Sequence, residues 1–357
     1  MIEDCVIVIN GRMLAKRIEG ISRYVYEILL EIDKDSRVSK HIIVVVPEGC
    51  DIKFHNLRIV QLSKCFLPGA LMWDLIKANC YAMRVHANLH VNMAPGASWF
   101  RNSIVTNHDL REIVYDKLRF SLASMRTKFK STVVIWLEKL LCNKIVTVSY
   151  VIEREINYFF KKQIVVDVIG NGWEHIEQRE TDNSVFEKYQ QIRVGGYYLA
   201  ISSIAPHKNF KWIVENAKNN PDKQYVIVGG TNPKLWSSNE GDFKDNIIYL
   251  GFQSDEVLKA LLVNAKALIS PSLYEGFGIP PLEALACGTK VIVSDIPVYR
   301  EIYGDAVVYL DPHDSSLDLD SVDWDKDRSG EIKRVLETYT WKNAAKKWID
   351  LMERMSK

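Results

Sequence analysis

Ser270-Pro-Ser-Leu-Tyr-Glu-Gly-Phe-Gly-Ile-Pro-Pro-Leu-Glu-Ala-Leu-Ala-Cys-Gly-Thr289 decides how the rest of this 357-residue chain is read. The run before it, Ala265 to Ile269, has the length and apolarity of a buried strand. A glycine-rich loop with Glu275, Gly276 and Gly278 follows, and Pro280 and Pro281 then open a helix at positions where proline is favoured. Gly288 stands where a helix ends on a C′ glycine, and Lys290 to Ser294 reads as a second buried strand. The unit is strand, glycine loop, helix, strand. Amides of such a loop and the positive end of its helix suit a phosphate. Glu275 and Glu283 are eight residues apart and would accept sugar hydroxyls in charge-assisted bonds. A phosphorylated sugar, such as a nucleotide sugar, satisfies both halves of the pattern.

Within Glu-Gly-Phe-Gly-Ile-Pro-Pro-Leu-Glu-Ala, a Glu, seven residues and a second Glu resemble the mark of the GT-B-fold retaining glycosyltransferases of family 4. These are also described as glycosyl transferases group 1. The resemblance is strong from Ser202 to Pro312 and weaker elsewhere. It implies an α/β protein of two Rossmann-like domains facing a cleft, the donor held mainly by the second and the acceptor by the first. It also implies that Glu283 binds ribose hydroxyls and Glu275 the transferred sugar, with Gly276, Phe277, Gly278 and Ile279 lining the donor. Retention of anomeric configuration follows from the same likeness. The expected partners are a nucleotide-sugar donor and a saccharide or polyprenyl-linked saccharide acceptor, in the synthesis of a bacterial surface polysaccharide such as an O-antigen or capsule.

Length alone suggests two domains. Short apolar runs alternate with helical stretches, as in parallel α/β architecture. Strands are expected at 5–9, 42–46, 57–61, 89–92, 104–106, 145–148 and 165–169, then at 197–201, 225–228, 247–250, 267–269, 291–293 and 307–309. Helices are expected at 21–32, 71–85, 120–141 and 150–160, then at 210–218, 255–263, 281–286 and 331–338. Residues Gly170 to Gly196 lack periodicity and read as the crossing between domains. The expected division is 1–170 and 171–339, with an amphipathic helix at 340–357 that the resemblance returns to the first domain. The segment Asp311 to Asp327, with seven Asp, reads as a solvated loop.

Net charge is +1, with 47% hydrophobic and 25% charged residues, an ordinary globular balance that gives no support for a nucleic-acid partner. The six cysteines form no Cys-x-x-Cys pair and stand near no His at zinc spacing. They read as small buried hydrophobes in a reducing compartment. Glu3 and Asp4 precede a strand-like run, so no signal peptide is expected, and no apolar stretch reaches the ~18–20 residues that span a bilayer. The chain thus reads as cytoplasmic.

Three further constellations matter. In Ala200-Ile-Ser-Ser-Ile-Ala-Pro-His-Lys-Asn209 a strand ends near Ser202, Lys208 is placed to meet a diphosphate, and Asn209 is expected to cap the next helix. The resembled class often carries an Arg where this chain has Ser202, which leaves more of the phosphate charge to Lys208. In Val105-Thr-Asn-His-Asp-Leu110 a strand end presents His108 and Asp109. The resemblance brings these close to the transferred sugar, where His108 either bonds the donor or orients the acceptor. Gly20, leading into a helix, would let a phosphate or sugar approach the backbone. Asp318-Leu-Asp320 lacks a preceding strand and reads as surface. No metal and no resident cofactor are expected, because Lys208 and helix N-termini supply the positive charge.

Between Arg111 and Lys144 stand eight Lys or Arg against three acidic residues, interleaved with Phe129 and Trp136. Such a stretch either lies on an anionic membrane surface, making the protein peripheral at the inner face, or is a helix with a solvated charged face. Two other functions share the motif set. A nucleotide-sugar epimerase of the same fold would act on donor alone, and a non-catalytic nucleotide-sugar-binding subunit would show no turnover.

Overall fold

The computed structural model describes residues 5–63, 65, 69–111, 122–141, 144–201, 205–230 and 245–356. The chain divides into two compact units, Met1–Asn171 together with Trp341–Lys357, and Gly172–Thr340.

The first unit is built on seven parallel strands: β1 (Ile7–Asn10), β2 (Ile42–Pro47), β3 (Arg58–Leu62), β4 (Leu89–Asn92), β5 (Ser103–Thr106), β6 (Ile145–Thr147) and β7 (Val165–Val168). Their order is β3-β2-β1-β4-β5-β6-β7. β1, β4, β5 and β6 are buried along their whole length, as expected for parallel strands covered on both faces. The order reverses between β1 and β4, which places a ligand-binding crevice beyond the carboxyl ends of those strands. The C-terminal helix Trp341–Ser356 packs in this unit and buries Trp341, Trp348, Leu351 and Met352. Trp348 Nε1 donates to the Tyr24 hydroxyl at 2.9 Å, and that hydroxyl donates to Ile169 O at 3.1 Å. Full burial of one such ring contributes about 1.5–3 kcal/mol, so the last turns of chain are well anchored.

One helix differs from its sequence reading. The 71–85 stretch is three pieces, Ala70–Met72, a π-helical turn Trp73–Ala78 and Asn79–Arg84. The widened turn lets Asp74 point inward, where it accepts from Asn10 Nδ2 and Arg12 Nε at 2.7 Å each, and Asn79 Nδ2 donates to Asp74 O. Such turns concentrate at functional sites.

The second unit holds six parallel strands: β8 (Tyr197–Ile201), β9 (Gln224–Val228), β10 (Ile247–Gly251), β11 (Ala267–Ser270), β12 (Lys290–Ser294) and β13 (Val308–Leu310). Their order is β10-β9-β8-β11-β12-β13, reversing between β8 and β11. Its acidic segment is the loop that composition suggests, with its aspartates exposed, but the loop is pinned to the core. Leu319 is fully buried, and Leu317, Val322 and Trp324 pack on the same core. Asn216 Nδ2 donates to Ser315 O and Leu317 O at 2.9 Å. The interleaved apolar residues face in and most aspartates face out; Asp320 pairs with Lys223 at 2.5 Å.

Candidate active site

At the β8/β11 reversal the second unit brings two of the expected residues into contact. After β8 the chain makes a short 3-10 turn, Pro206–Lys208; Ser202 lies outside the described residues. Lys208 Nζ donates to both Glu275 oxygens, at 2.6 and 2.8 Å. Asn209 does not cap the helix Phe210–Asn219. Its backbone is left-handed (φ 56°), and its side chain makes no capping bond but donates instead to Pro271 O and Pro312 O at 3.0 and 2.8 Å. It therefore ties together the loops that leave β8, β11 and β13.

Glu275 is held on several sides. Ser272 Oγ donates to Oε1 at 2.7 Å and the Tyr299 hydroxyl reaches the same oxygen at 3.3 Å. Burial pushes this carboxyl up, but the Lys208 charge and hydrogen bond, with smaller help from His207 and Ser272, outweigh it, and the pKa falls below the ordinary value. The group is ionised at neutral pH. Gly278 has φ 92°, and a Cβ there would lie 2.5 Å from the Tyr299 ring. Both facts make glycine necessary. Tyr303 OH donates to Gly278 O, Phe277 sits edge-on to Tyr339 at 5.2 Å, and Gly276 lies between Glu275 and Phe277. Ile279 then starts the helix Ile279–Ala286, with proline in its first turn. Tyr299 and Tyr303, which no sequence motif signalled, lock the glycine loop from behind.

Glu283 lies on that helix and is buried. Its Oε1 accepts from His175 Nε2 at 2.8 Å, and the two side chains are 6% and 1% exposed. His175 belongs to the stretch that sequence reads as a mere crossing. A buried carboxylate with a fixed donor keeps its orientation and presents a set edge to a ligand hydroxyl.

In the first unit, Gly20 caps the helix Ile21–Asp33 with φ 49°, and a Cβ built on it would meet no atom within 4 Å. His108, after β5, is buried; its Nε2–H donates to Met93 O at 3.1 Å, and Tyr24 lies edge-on at 4.8 Å. Burial lowers its pKa against the opposing effects of Met93 and Asp109, so the ring is neutral at pH 7. Asp109 accepts from Arg111 N at 3.1 Å. Asn107, the residue before His108, holds a carboxyl that sequence reading counted only as one charge among many. Glu138 accepts from Gly96 N at 3.1 Å and Asn107 Nδ2 at 3.0 Å. Burial pushes its pKa up to about 8 against those two bonds. Gly96 is itself squeezed, since a Cβ would stand 2.5 Å from Asn92 Nδ2 and 2.7 Å from Asp74 Oδ2.

Among the described residues there is no group of three or more His, Cys, Asp or Glu that could hold a metal ion, and no helix is long and apolar enough to cross a membrane.

Two Rossmann-like sheets in sequence define an α/β protein of GT-B type. The sucrose-phosphate synthase of Thermosynechococcus elongatus matches it with a TM-score of 0.73 at 15% identity, covering 98% of this chain and 99% of that one. Residues 187–320 match the family described as glycosyl transferases group 1. The O-antigen chain mannosyltransferase RfbU of Salmonella typhimurium is 32% identical over 223 residues, 60% of this chain and 58% of that protein. The O-antigen chain mannosyltransferase B of Escherichia coli is 32% identical over 170 residues, 45% of this chain and 42% of that protein. The chain thus matches these relatives over about half of their length.

Proposed function

We propose that this chain is a retaining, metal-independent glycosyltransferase that moves a hexose from a nucleotide-sugar donor to a saccharide acceptor in bacterial O-antigen or related surface-polysaccharide synthesis. The observation that carries the reading is the Lys208–Glu275 pair at the β8/β11 reversal, with Glu283 fixed by His175 on the helix that follows. The names of the relatives support a mannosyl or similar hexosyl donor.

In this mechanism Glu283 accepts the ribose hydroxyls. An ammonium has three N–H groups and Glu275 takes two, so Lys208 can offer the third to the departing diphosphate. Glu275, kept ionised, accepts hydroxyls of the transferred sugar. The amides of Gly276 to Ile279 and the positive end of their helix add to the stabilisation of charge that grows as the diphosphate leaves. Ser202 and Gly20 would line the donor. His108, neutral, with its Nε2 proton held by Met93, offers Nδ1 as an acceptor to a sugar hydroxyl, beside Asp109.

A lipid-linked acceptor and contact with an anionic membrane belong to the same reading. The helix Leu122–Leu141 buries Ile135 and Glu138 yet exposes Phe129, Trp136 and Leu140 by 73%, 52% and 78%. Spacings of seven and four residues put these three on one face. Residues 112–121 and 142–143, and the side chains of Lys128 and Lys130, lie outside the described residues.

The test is a thermal-shift screen of the purified chain against UDP, GDP, dTDP and CMP sugars, followed by transfer assays with the donor that binds. A bound ligand at 100 times its Kd adds about 2.7 kcal/mol of apparent stability. No stabilisation by any nucleotide sugar would overturn the reading.

A further inference from the structure

The second unit contains a cavity that the reaction just proposed does not use. It has a volume of about 470 Å³ and opens beyond the carboxyl ends of β12 and β13, walled by Asp295, Arg300, Tyr309, Asp311, His313 and Leu273 among others. That volume is within the range of small-molecule sites, and the end of the sheet is where such sites occur.

We infer that this cavity is a binding subsite for a neutral saccharide, separate from the Lys208–Glu275 pair and linked to it through Leu273. Its relevance to transfer rests on the function proposed above; its chemistry does not.

The wall is preorganised. Arg300 donates through Nε and Nη2 to the two Asp295 oxygens at 2.6 and 2.7 Å, and its guanidinium carbon lies 3.6 Å over the Tyr309 ring. The Tyr309 hydroxyl donates to Gly304 O at 2.7 Å. Asp311 Oδ1 accepts from His313 N at 2.8 Å. A ligand therefore meets a fixed guanidinium plane, with Nη1 uncommitted to Asp295, and little side-chain ordering remains to oppose binding.

Charge selects the ligand. The wall carries two carboxylates, Asp295 and Asp311, against one guanidinium that Asp295 already pairs, so it repels a diphosphate and offers acceptors to hydroxyls. Ile296, Leu310 and Pro312 supply apolar surface for the C–H faces of a sugar ring. Dense hydroxyls on an otherwise apolar ring match this mixture, whereas a nucleotide or an acidic peptide does not. The cavity also touches the donor loop. Leu273, two residues before Glu275, donates its N–H to His207 O at 2.6 Å, next to Lys208.

The experiment is saturation-transfer NMR of the full chain with α-linked mannobiose, maltose, lactose and chitobiose, with and without GDP or UDP. Binding of at least one disaccharide in the presence of nucleotide is expected. Arg300→Met, which keeps the apolar stem on Tyr309, and His313→Trp, which fills the mouth from an exposed position, should each weaken it tenfold or more. Nucleotide affinity, measured in parallel, should change less than twofold. If Arg300→Met fails to fold, His313→Trp decides. No disaccharide binding, or binding that both variants leave intact, overturns the subsite. Loss of nucleotide binding by the unaltered chain would instead overturn the transferase reading and leave the cavity's saccharide binding to be judged by the same titrations.

Discussion

Replacing Lys208 with Met separates the electrostatic role of the pair from its proposed chemistry. The substitution keeps an unbranched stem and removes the ammonium, so Glu275 is left in a site where burial disfavours its charge. Both partners are largely enclosed, at 20% and 10% side-chain exposure. Breaking a buried pair by removing one member costs about 3–5 kcal/mol. Ser272 and Tyr299 still bond the carboxylate and the residual exposure admits some water, so a loss at or just below the lower end, about 2–3 kcal/mol, is expected. Urea unfolding at pH 7, read by tryptophan fluorescence and circular dichroism, measures it. The double variant Lys208→Met/Glu275→Gln removes the stranded charge while the amide oxygen still accepts from Ser272. It should recover more than half of the loss, the signature of coupling in a double-mutant cycle.

The pH dependence has a definite sign. The folded pKa of Glu275 lies below its ordinary value, so its stabilising contribution is present above the unfolded pKa and is lost as pH falls through the folded one. Without Lys208 the carboxyl is easier to protonate. The deficit of Lys208→Met relative to the unaltered chain should therefore shrink as pH falls below the ordinary Glu range. Transfer activity should drop ~10²–10³-fold in the single variant and stay low in the double one. A single variant within about 0.5 kcal/mol of the parent, the scale of an ordinary surface substitution, would refute the electrostatic reasoning. Activity restored together with stability would refute the catalytic role.

Glu283→Ala should weaken nucleotide binding at least tenfold, since charged hydrogen bonds contribute ~1.5–3 kcal/mol each; unchanged affinity by calorimetry would remove the ribose assignment. Transfer should persist in excess EDTA, and loss reversed by Mg²⁺ or Mn²⁺ would sink the metal-independent mechanism. Glu138, with its folded pKa raised to about 8, contributes stability that is complete below its ordinary pKa and declines as pH rises toward 8. Glu138→Gln should flatten that decline in thermal melts, and an unaltered pH profile would refute it. The chain should sediment with anionic vesicles at low salt and release as screening shortens to ~8 Å at physiological strength. Phe129→Ser/Trp136→Ser that sediments as before would place the contact elsewhere.

Much of the second unit was legible because a parallel strand must be apolar throughout and must end in a turn. Residues 265–294 signal strand, loop, helix and strand in single letters, and glycine at 278 and 288 marks backbone that other residues adopt poorly. The Glu275–Lys208 contact spans 67 positions, and no local period encodes it; only the placement of both after neighbouring strands brings it about. His175 was illegible for the same reason, as it lies in an aperiodic crossing and meets Glu283 across 108 positions. Asn209 misled because capping and tertiary bonding use the same amide, and the loops after β11 and β13 won it. The acidic segment was legible as a solvated loop but its anchoring was not, because composition averages over seven Asp and hides the apolar residues between them, Leu317, Leu319 and Trp324.

The two reversals in strand order also differ in how they treat a carboxylate, and that difference sorts ligands. At β8/β11 an ammonium sits against Glu275, holds it ionised and remains able to meet an anion; a diphosphate suits this unit. At β1/β4 and the neighbouring β5, burial raises both Asp74, despite Arg12 and Asn10, and Glu138, whose bonding partners among the described residues are two neutral amides. His108 is kept neutral by the same burial. A carboxyl whose charged form burial disfavours repels an added anion less than a solvated carboxylate would, and the one guanidinium bonded to Asp74, that of Arg12, is already engaged by it through Nε and Nη2. Such groups are suited to hydroxyls. On the proposed transferase reading, a charged donor and an uncharged acceptor need that asymmetry: Lys208 keeps one N–H beyond the two that Glu275 takes, whereas Arg12 is spent on the buried Asp74 and, among the described residues, Glu138 is bonded by the amides of Gly96 and Asn107.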